Sequence, residues 1–390
     1  VSATMPWVDV RTGLCGTPEP GPGPWPLADV VHRFRAGLHL PGPPVTVAGA
    51  ALSAADARSA CVGEAVERYA ALVPREPDVI ASEAALADAQ RGYVAADSLG
   101  ASPGPLPDEE IAWLVALDGR LVPLDAARGN LVAAGVDRPS YPQGSTGLAA
   151  GRTADQALLA AAAEVVERDA VARAWAAGTL RATPPDRALP APLLRASDDA
   201  DLEVAVHLLP TGCPSSSVAM VGLRDRRTGL LGVGAAYRSD VTSAATKAWI
   251  EAVVSIAQAA ELTDPSTGPA LCEAAGLAPW RADRRYAEAG WSGVTDLAEH
   301  AQLLLDPELA ARVWALLGER PSSEAPWPGR PGRAAWDLLT DRFDDGVAVD
   351  LTTADIRGAG GPAVVRVLAV GARTVRPAGT SPEELPCPLI

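Results

Sequence analysis

Two short stretches of this 390-residue chain set paired carboxylates beside an arginine: Gly63-Glu-Ala-Val-Glu-Arg-Tyr-Ala70 and Ala163-Glu-Val-Val-Glu-Arg-Asp-Ala170. Five of the eight positions agree: both Glu, the second Val, the Arg and the final Ala. Residues three apart share one helix face, which pairs Glu64 with Glu67 and Glu164 with Glu167. Carboxylates crowded on an otherwise apolar helix need cationic partners. A magnesium ion chelated to a triphosphate is such a partner, because it takes carboxylate, phosphate and water oxygens at about 2.1 Å. Arg68 and Arg168 project about 100° further round each helix. From there they can meet the Glu residues of the other helix or phosphate oxygens. A single Glu-x-x-Glu-Arg is usually a solvated helix face with ordinary ion pairs, and an internal structural repeat would also yield two copies. A third stretch, Lys247-Ala-Trp-Ile-Glu251, places a basic residue one turn before a Glu among apolar residues. Read alone it is an exposed salt pair. The small-residue run Gly144-Ser-Thr-Gly-Leu-Ala-Ala-Gly151 precedes the second motif and could offer backbone N–H groups to an anion. It lacks the Walker A order and by itself reads as a flexible connector.

The elements that must hold these residues follow from periodicity. Apolar spacing predicts a helix over Ala54–Leu72 and a long Ala-rich helix from Thr153, a fair N-cap, to about Ala177. A third helix is expected over Thr242–Glu261. Ile111–Ala116 and Leu121–Leu124 flank Asp118-Gly119 like a hairpin. Strands are expected at Glu203–Leu208, Ser217–Leu223, Leu230–Ala236, Val347–Leu351 and Ala363–Val370, and helix over residues 270–318. Residues 181–200 and Pro321–Pro331 read as Pro-rich linkers, but they bracket no independent unit. The expected class is therefore α+β, one large domain with mixed sheets packed against long helices. Residues 1–45 form an irregular Pro/Gly-rich lead-in, and 46–390 the catalytic domain with a proline-bearing tail.

Composition removes several functions. A net charge of −15 disfavours nucleic-acid partners. Five scattered cysteines without a C-x-x-C pair, and four histidines without ligand spacing, argue against a zinc site or disulfide framework. Lys247 is the sole lysine, so any phosphate contact must come from arginine or a bridging cation. No apolar run reaches membrane-spanning length, and the N-terminal residues lack a signal-peptide pattern. A cytoplasmic location is the expectation.

Taken together the motifs resemble the YcaO family. Its members carry a Glu-Ala-x-Glu-Arg helix, then a Ser-Asn-Gly-x-Ala-x-Gly loop before a long helix ending Glu-x-x-Glu-Arg-Asp-Ala, and later an Ala-Leu-x-Glu-Ala pattern. These correspond to Gly63–Tyr69, to Ser145–Gly151 with Glu164–Ala170, and to Ala248–Ala252, over about residues 50–390. The resemblance implies a YcaO-type domain that uses ATP and Mg2+ to activate a backbone amide of a ribosomal precursor peptide. A nucleophile adds to the amide carbon, the oxyanion takes the γ-phosphoryl group, and phosphate leaves. A Cys, Ser or Thr nucleophile gives an azoline, an N-terminal amine a macrocyclic amidine, and a sulfide donor a thioamide.

By the same resemblance Glu64, Glu67, Glu164 and Glu167 would hold magnesium. Arg68, Arg168, Thr146, Gln156, Lys247 and Glu251 would bind the nucleotide, with Glu167 and Arg168 as the catalytic pair. Departures are also present. Thr146 stands where the family has Asn, Gln156 where it has Glu, and Ala60, with Ser59 beside it, where a Ser is usual. Val370-Gly371 replaces Pro-Gly, and the tail holds one Pro-x-Pro, Pro386-Cys-Pro388. They imply a divergent member, similar to the bottromycin-type enzymes that work without a fused partner domain. The short lead-in implies either that independence or a separate leader-binding partner, and the resemblance also admits a homodimer. A catalytically silent scaffold that binds the precursor is the alternative from another class, favoured by Gln156.

Overall fold

The computed structural model describes residues 7–9, 13–21, 25–40, 45–101, 104–129, 141, 144–209, 211, 217–274, 279–281, 283, 285–291, 293–294, 297–318, 335–340, 342–374 and 384–389. Its framework is a strand–helix unit used three times. Strand β3 (Val45–Ala51) leads into a first long helix, Ala54–Leu72. Strand β7 (Leu148–Gly151) leads into a second, Ala154–Ala176, and β11 (Leu231–Arg238) into a third, Val241–Thr263. Each helix starts two residues beyond its strand on a capping side chain. Ser53, Thr153 and Asp240 accept hydrogen bonds from the backbone N–H groups of Asp56, Gln156 and Ser243, which supplies partners for donors that helix geometry leaves over. Close approach of strand and helix requires glycine. A Cβ on Gly49 would lie 2.1 Å from the Cys61 nitrogen, and one on Gly151 would lie 2.4 Å from that of Ala157.

The described strands form four sheets. The first is β1 (Glu19–Pro20), β2 (His32–Leu38) and β3. The second is β4 (Val79–Ala81), β5 (Ile111–Val115) and β6 (Leu121–Pro123), which contains the expected hairpin. The third runs β12 (Asp345–Asp350), β13 (Ala363–Val370), β7. The fourth runs β11, β10 (Ser217–Asp225), β9 (Leu202–Leu209), β8 (Ala182–Thr183). Each strand pairs antiparallel with its neighbours, and among the described residues parallel pairing is confined to the isolated bridges Val8–Cys15 and Tyr93–Leu121. The first long helix packs on β2 and β3, the third on β10 and β11, and the second on β7, β13 and β11. The second helix therefore sits between two sheets. Ala157, Ala161, Ala162, Val165 and Val166 pack against Ala348, Val365 and Val367 on one side, and Ala170, Val171 and Ala174 against Met220, Val233 and Ala235 on the other. Small alanines let it lie deep, at a favourable helix propensity.

The α+β class and the three long helices match the sequence reading. Other expectations need correction. The segment 181–200 is structured: β8 is followed by helices Pro185–Ala188 and Ala191–Asp199. Its prolines occupy cap and first-turn positions, where a missing N–H costs nothing. β1 and β2 lie inside the lead-in expected to be irregular. Leu148–Gly151 is a strand rather than connector. Among the described residues of 270–318 the helices are short: Gly268–Ala274, Tyr286–Ala289, Leu297–His300 and Pro307–Leu317. The Pro321–Pro331 linker lies outside the described residues.

Candidate nucleotide and magnesium site

The three helices carry their charges in a common register. Glu64, Glu164 and Glu251 each stand eleven residues after the cap, from 53 to 64, 153 to 164 and 240 to 251. In the first helix Arg68 Nε donates to Glu64 at 2.6 Å. Glu67 reaches sideways, and its Oε1 accepts from the Ala150 N–H on β7 at 2.8 Å. β7 is the outer strand of its sheet, so that N–H faces away from the ladder. The second helix repeats the device, with Glu167 Oε2 accepting from Tyr237 N–H on β11 at 2.9 Å. β11 is again an outer strand. Thus each second Glu ties its helix to the strand that launches the next helix, and its carboxylate is oriented by that bond.

Arg168 lies 3.4 Å from Glu167 and 3.9 Å from Glu164. In the third helix Lys247 pairs with Glu251 at 3.3 Å. Both motif arginines pair with Glu residues of their own helix. The groups still feel one another. Burial pushes Glu67 up to about 8, reinforced by Glu64 and Glu164. Burial also pushes Glu167 up to about 8, opposed by Arg168 and reinforced by Glu251 and Glu164. Glu164 is raised by burial against the pull of Arg168, Arg366 and Arg68. For Arg168 the surrounding Glu167, Glu164 and Glu251 outweigh burial and raise it.

The geometry thus gathers Glu64, Glu67, Arg68, Glu164, Glu167, Arg168 and Glu251 into one electrostatic cluster. Gln156 is not brought into it. It is exposed in the first turn of its helix, about 12 Å along the axis from Glu164. Thr146 lines a cavity together with Arg366. Two residues escaped the sequence reading. Asp169, fully buried, accepts from Arg173 Nε at 2.8 Å, Arg342 Nε at 2.6 Å and the Arg373 N–H at 2.7 Å. Its signal was a carboxylate following Glu-Arg in an Ala-rich helix. The other is Arg366, an arginine inside the run Val-Val-Arg-Val.

Among the described residues no three His, Cys, Asp or Glu side chains form a ready metal cage. Magnesium does not require one, since it commonly takes one or two carboxylates plus phosphate and water oxygens. The donors fit that demand. The Glu64, Glu164 and Glu167 side chains keep 33%, 25% and 10% exposure, so they are desolvated yet reachable. The raised Glu67, Glu164 and Glu167 carboxyls gain most from an added cation.

The sequence matches the family model of the YcaO cyclodehydratases, ATP- and Mg2+-binding, over residues 48–373. The chain belongs to the YcaO family. Its cofactors are ATP and Mg2+, and it is an ATP-dependent enzyme of that family. Among solved structures the YcaO fold recurs in the YcaO protein from Methanopyrus kandleri bound with AMPPCP and Mg2+. That structure is 19% identical, with a TM-score of 0.60 over 91% of this chain and 85% of that one. It recurs in a heterocyclase in complex with substrate and cofactor, 17% identical, with a TM-score of 0.64 over 95% of this chain and 51% of that one. This YcaO chain therefore spans about half the length of that heterocyclase. No curated protein matches it in sequence. No helix among the described residues is long and apolar enough to cross a membrane.

Proposed function

We propose that this YcaO enzyme modifies a ribosomally made precursor peptide by ATP-dependent activation of a backbone amide, closing an azoline or a macrocyclic amidine. The observation that carries the reading is that Glu67 accepts from Ala150 on β7 and Glu167 from Tyr237 on β11, with Arg168 3.4 Å from Glu167, so that the motif carboxylates are held in place beside an arginine. When bound, the magnesium nucleotide supplies an electrophilic phosphoryl group, which turns a poor leaving group, the amide oxygen, into a good one. The chain's own work is positioning and charge neutralisation. Glu64, Glu67, Glu164 and Glu167 would hold magnesium, and the edge-strand bonds from Ala150 and Tyr237 fix where Glu67 and Glu167 point. Arg68, Arg168 and Lys247 would meet phosphate oxygens, and the partial burial of Arg168 makes its charge count for more than it would in water.

The heterocyclase complex with substrate and cofactor supports a substrate for the fold, and the peptide class follows the family reading. The finer comparison with bottromycin-type enzymes, a cytoplasmic site of action, a separate leader-binding partner and a homodimer belong to the same proposal. The test is incubation with ATP, Mg2+ and the precursor peptide encoded nearby, followed by mass spectrometry. Loss of one water with one ADP per ring supports the proposal, and fragmentation separates azoline from amidine. Exchange of oxygen for sulfur would identify a thioamide-forming enzyme. An unmodified peptide and no ADP, with candidate partners present, would leave the scaffold reading.

A further inference from the structure

Strand β13 carries Arg366 in the middle of an apolar run, opposite Val349 on β12 and Leu148 on β7. The residue is only 5% exposed. Its Nη2 donates to the Gly144 carbonyl at 3.0 Å. That carbonyl is held in place in turn, since the Gly144 N–H donates to the Gly129 carbonyl at 3.0 Å. Gly129, at φ +69, packs against the guanidinium so closely that a Cβ would sit 3.1 Å from Nη2. One side of the guanidinium is thus built in. The other side is not: Nε and Nη1 have no hydrogen-bond partner among the described residues. No ion pair joins Arg366 to a carboxylate among the described residues.

The same side chain helps line a cavity of about 270 Å3, together with Ser98, Tyr141, Thr146 and Val165, with the exposed Asp97 also on its wall. Arg366 also belongs to the charge field of the site, attracted by Glu164 and repelled by Arg68. A buried cation with two idle donors is costly for the fold, and an apolar side chain of similar size would be easier to accommodate. Such a group makes physical sense when an oxyanion completes it. Phosphate suits it best, because guanidinium N–H groups match phosphate oxygens and Arg366 shares a field with residues already assigned to a magnesium nucleotide.

We propose that Arg366 is a phosphate-binding residue, whose cavity takes a phosphoryl group of the nucleotide or the inorganic phosphate released from it. This rests on the nucleotide reading of the site and extends it to a strand that neither Glu-x-x-Glu-Arg motif contains. Thr146, in the loop before β7, then walls a phosphate site without ligating magnesium.

The experiment is calorimetric titration of the full chain and of Arg366→Met and Arg366→Lys with an ATP analogue, ADP and inorganic phosphate, each with Mg2+. Arg366→Met removes a buried charge and with it the donor to the Gly144 carbonyl, two opposed effects that should leave the thermal midpoint close to that of the wild type. It should also weaken phosphate-ligand binding by roughly 10- to 100-fold, the range of a charged hydrogen bond, and Arg366→Lys should restore part of that loss. A loss confined to the ATP analogue places the γ-phosphoryl group against Arg366. An equal loss for ADP places an inner phosphate there, and a loss for inorganic phosphate alone identifies a product site. A folded Arg366→Met protein that binds all three ligands as the wild type does would overturn the inference. So would a fall in thermal midpoint with every affinity unchanged, which would make Arg366 structural. A wild-type protein that binds nucleotide but leaves every candidate peptide untouched would sink the peptide proposal alone.

Discussion

In the first long helix Arg68 holds Glu64 at 2.6 Å, and their side chains keep 28% and 33% exposure. In the second, at the same distance from the same kind of cap, Arg168 keeps 18% and lies between Glu164 and Glu167. The position after the arginine differs as well. Tyr69 donates its hydroxyl outward to Asp355 at 2.6 Å, whereas Asp169 is fully buried under three donors. The cause is location. The first helix covers the β1–β2–β3 sheet, while the second runs between two sheets. A repeated motif therefore need not mean repeated duty. The Arg168 cluster is more desolvated and acts more strongly at a distance, whereas the Arg68–Glu64 pair is closer to water and more replaceable; Glu67 is the buried exception in the first copy.

The largest consequence concerns turnover. Arg168→Ala should lower ATP turnover by about 10²–10³-fold, the cost of losing one preorganised electrostatic group at a reacting centre. Arg68→Ala should cost only about tenfold, since solvent screens this half-buried pair more than the Arg168 cluster. ADP release with saturating peptide measures both, and circular dichroism shows that the folds survive. Equal losses would break the comparison and make the two copies a symmetric cage.

Stability should divide the copies in the same direction. Asp169→Ala leaves Arg173 and Arg342 facing a buried gap and should cost about 3–5 kcal/mol, as for breaking a buried ion pair. Tyr69→Phe removes one hydrogen bond and should cost about 1 kcal/mol. Urea denaturation of the two variants gives the values directly. Similar costs would mean that Asp169 is less central to the fold than its burial implies.

This contrast also explains what could be read from the sequence. The long helices were legible because alanine-rich runs with apolar periodicity and good caps leave few alternatives. Glu64, Glu67, Glu164, Glu167 and Glu251 were legible because carboxylates are conspicuous in such runs. The second Glu's backbone partner was not, because Ala150 and Tyr237 approach only once edge strands are placed. Arg366 was hidden for the same reason, since a strand's side-chain pattern does not say which neighbour an arginine lacks. The segment 181–200 misled because prolines that begin helices look, in sequence, like prolines that prevent them.

A third comparison depends on pH. Burial pushes the Glu67 and Glu167 carboxyls up to about 8, whereas a Glu in the unfolded chain loses its proton at about 4.3. Between those values the unfolded state binds fewer protons, so stability falls as pH rises. The thermal midpoint should therefore drop between about pH 5 and 8. Glu67→Gln and Glu167→Gln should each flatten part of that slope. Binding of Mg2+ with nucleotide should release protons, which calorimetry in buffers of different ionisation enthalpy detects. A midpoint independent of pH over this range would mean that the carboxyls ionise without cost.

The smallest effects test whether the three strand–helix units are equivalent at their starts. Ser53, Thr153 and Asp240 accept from the same helix position, so Ser53→Ala, Thr153→Ala and Asp240→Ala should each cost about 1 kcal/mol. Asp240 should cost most, because its carboxylate, held below its usual range by the Ser243 N–H, also faces the positive end of the third helix. Substitution by glycine should cost only a few tenths of a kcal/mol at each site, roughly the difference expected for a cap that fits without a side chain. None of these variants should change ATP turnover, because the caps lie three helical turns from Glu64, Glu164 and Glu251 (about 16 Å). A loss of turnover in Thr153→Ala beyond its loss of stability would show that the second helix must be seated as a rigid piece. That result would sharpen the contrast between the copies, since the matching Ser53→Ala protein should keep its activity.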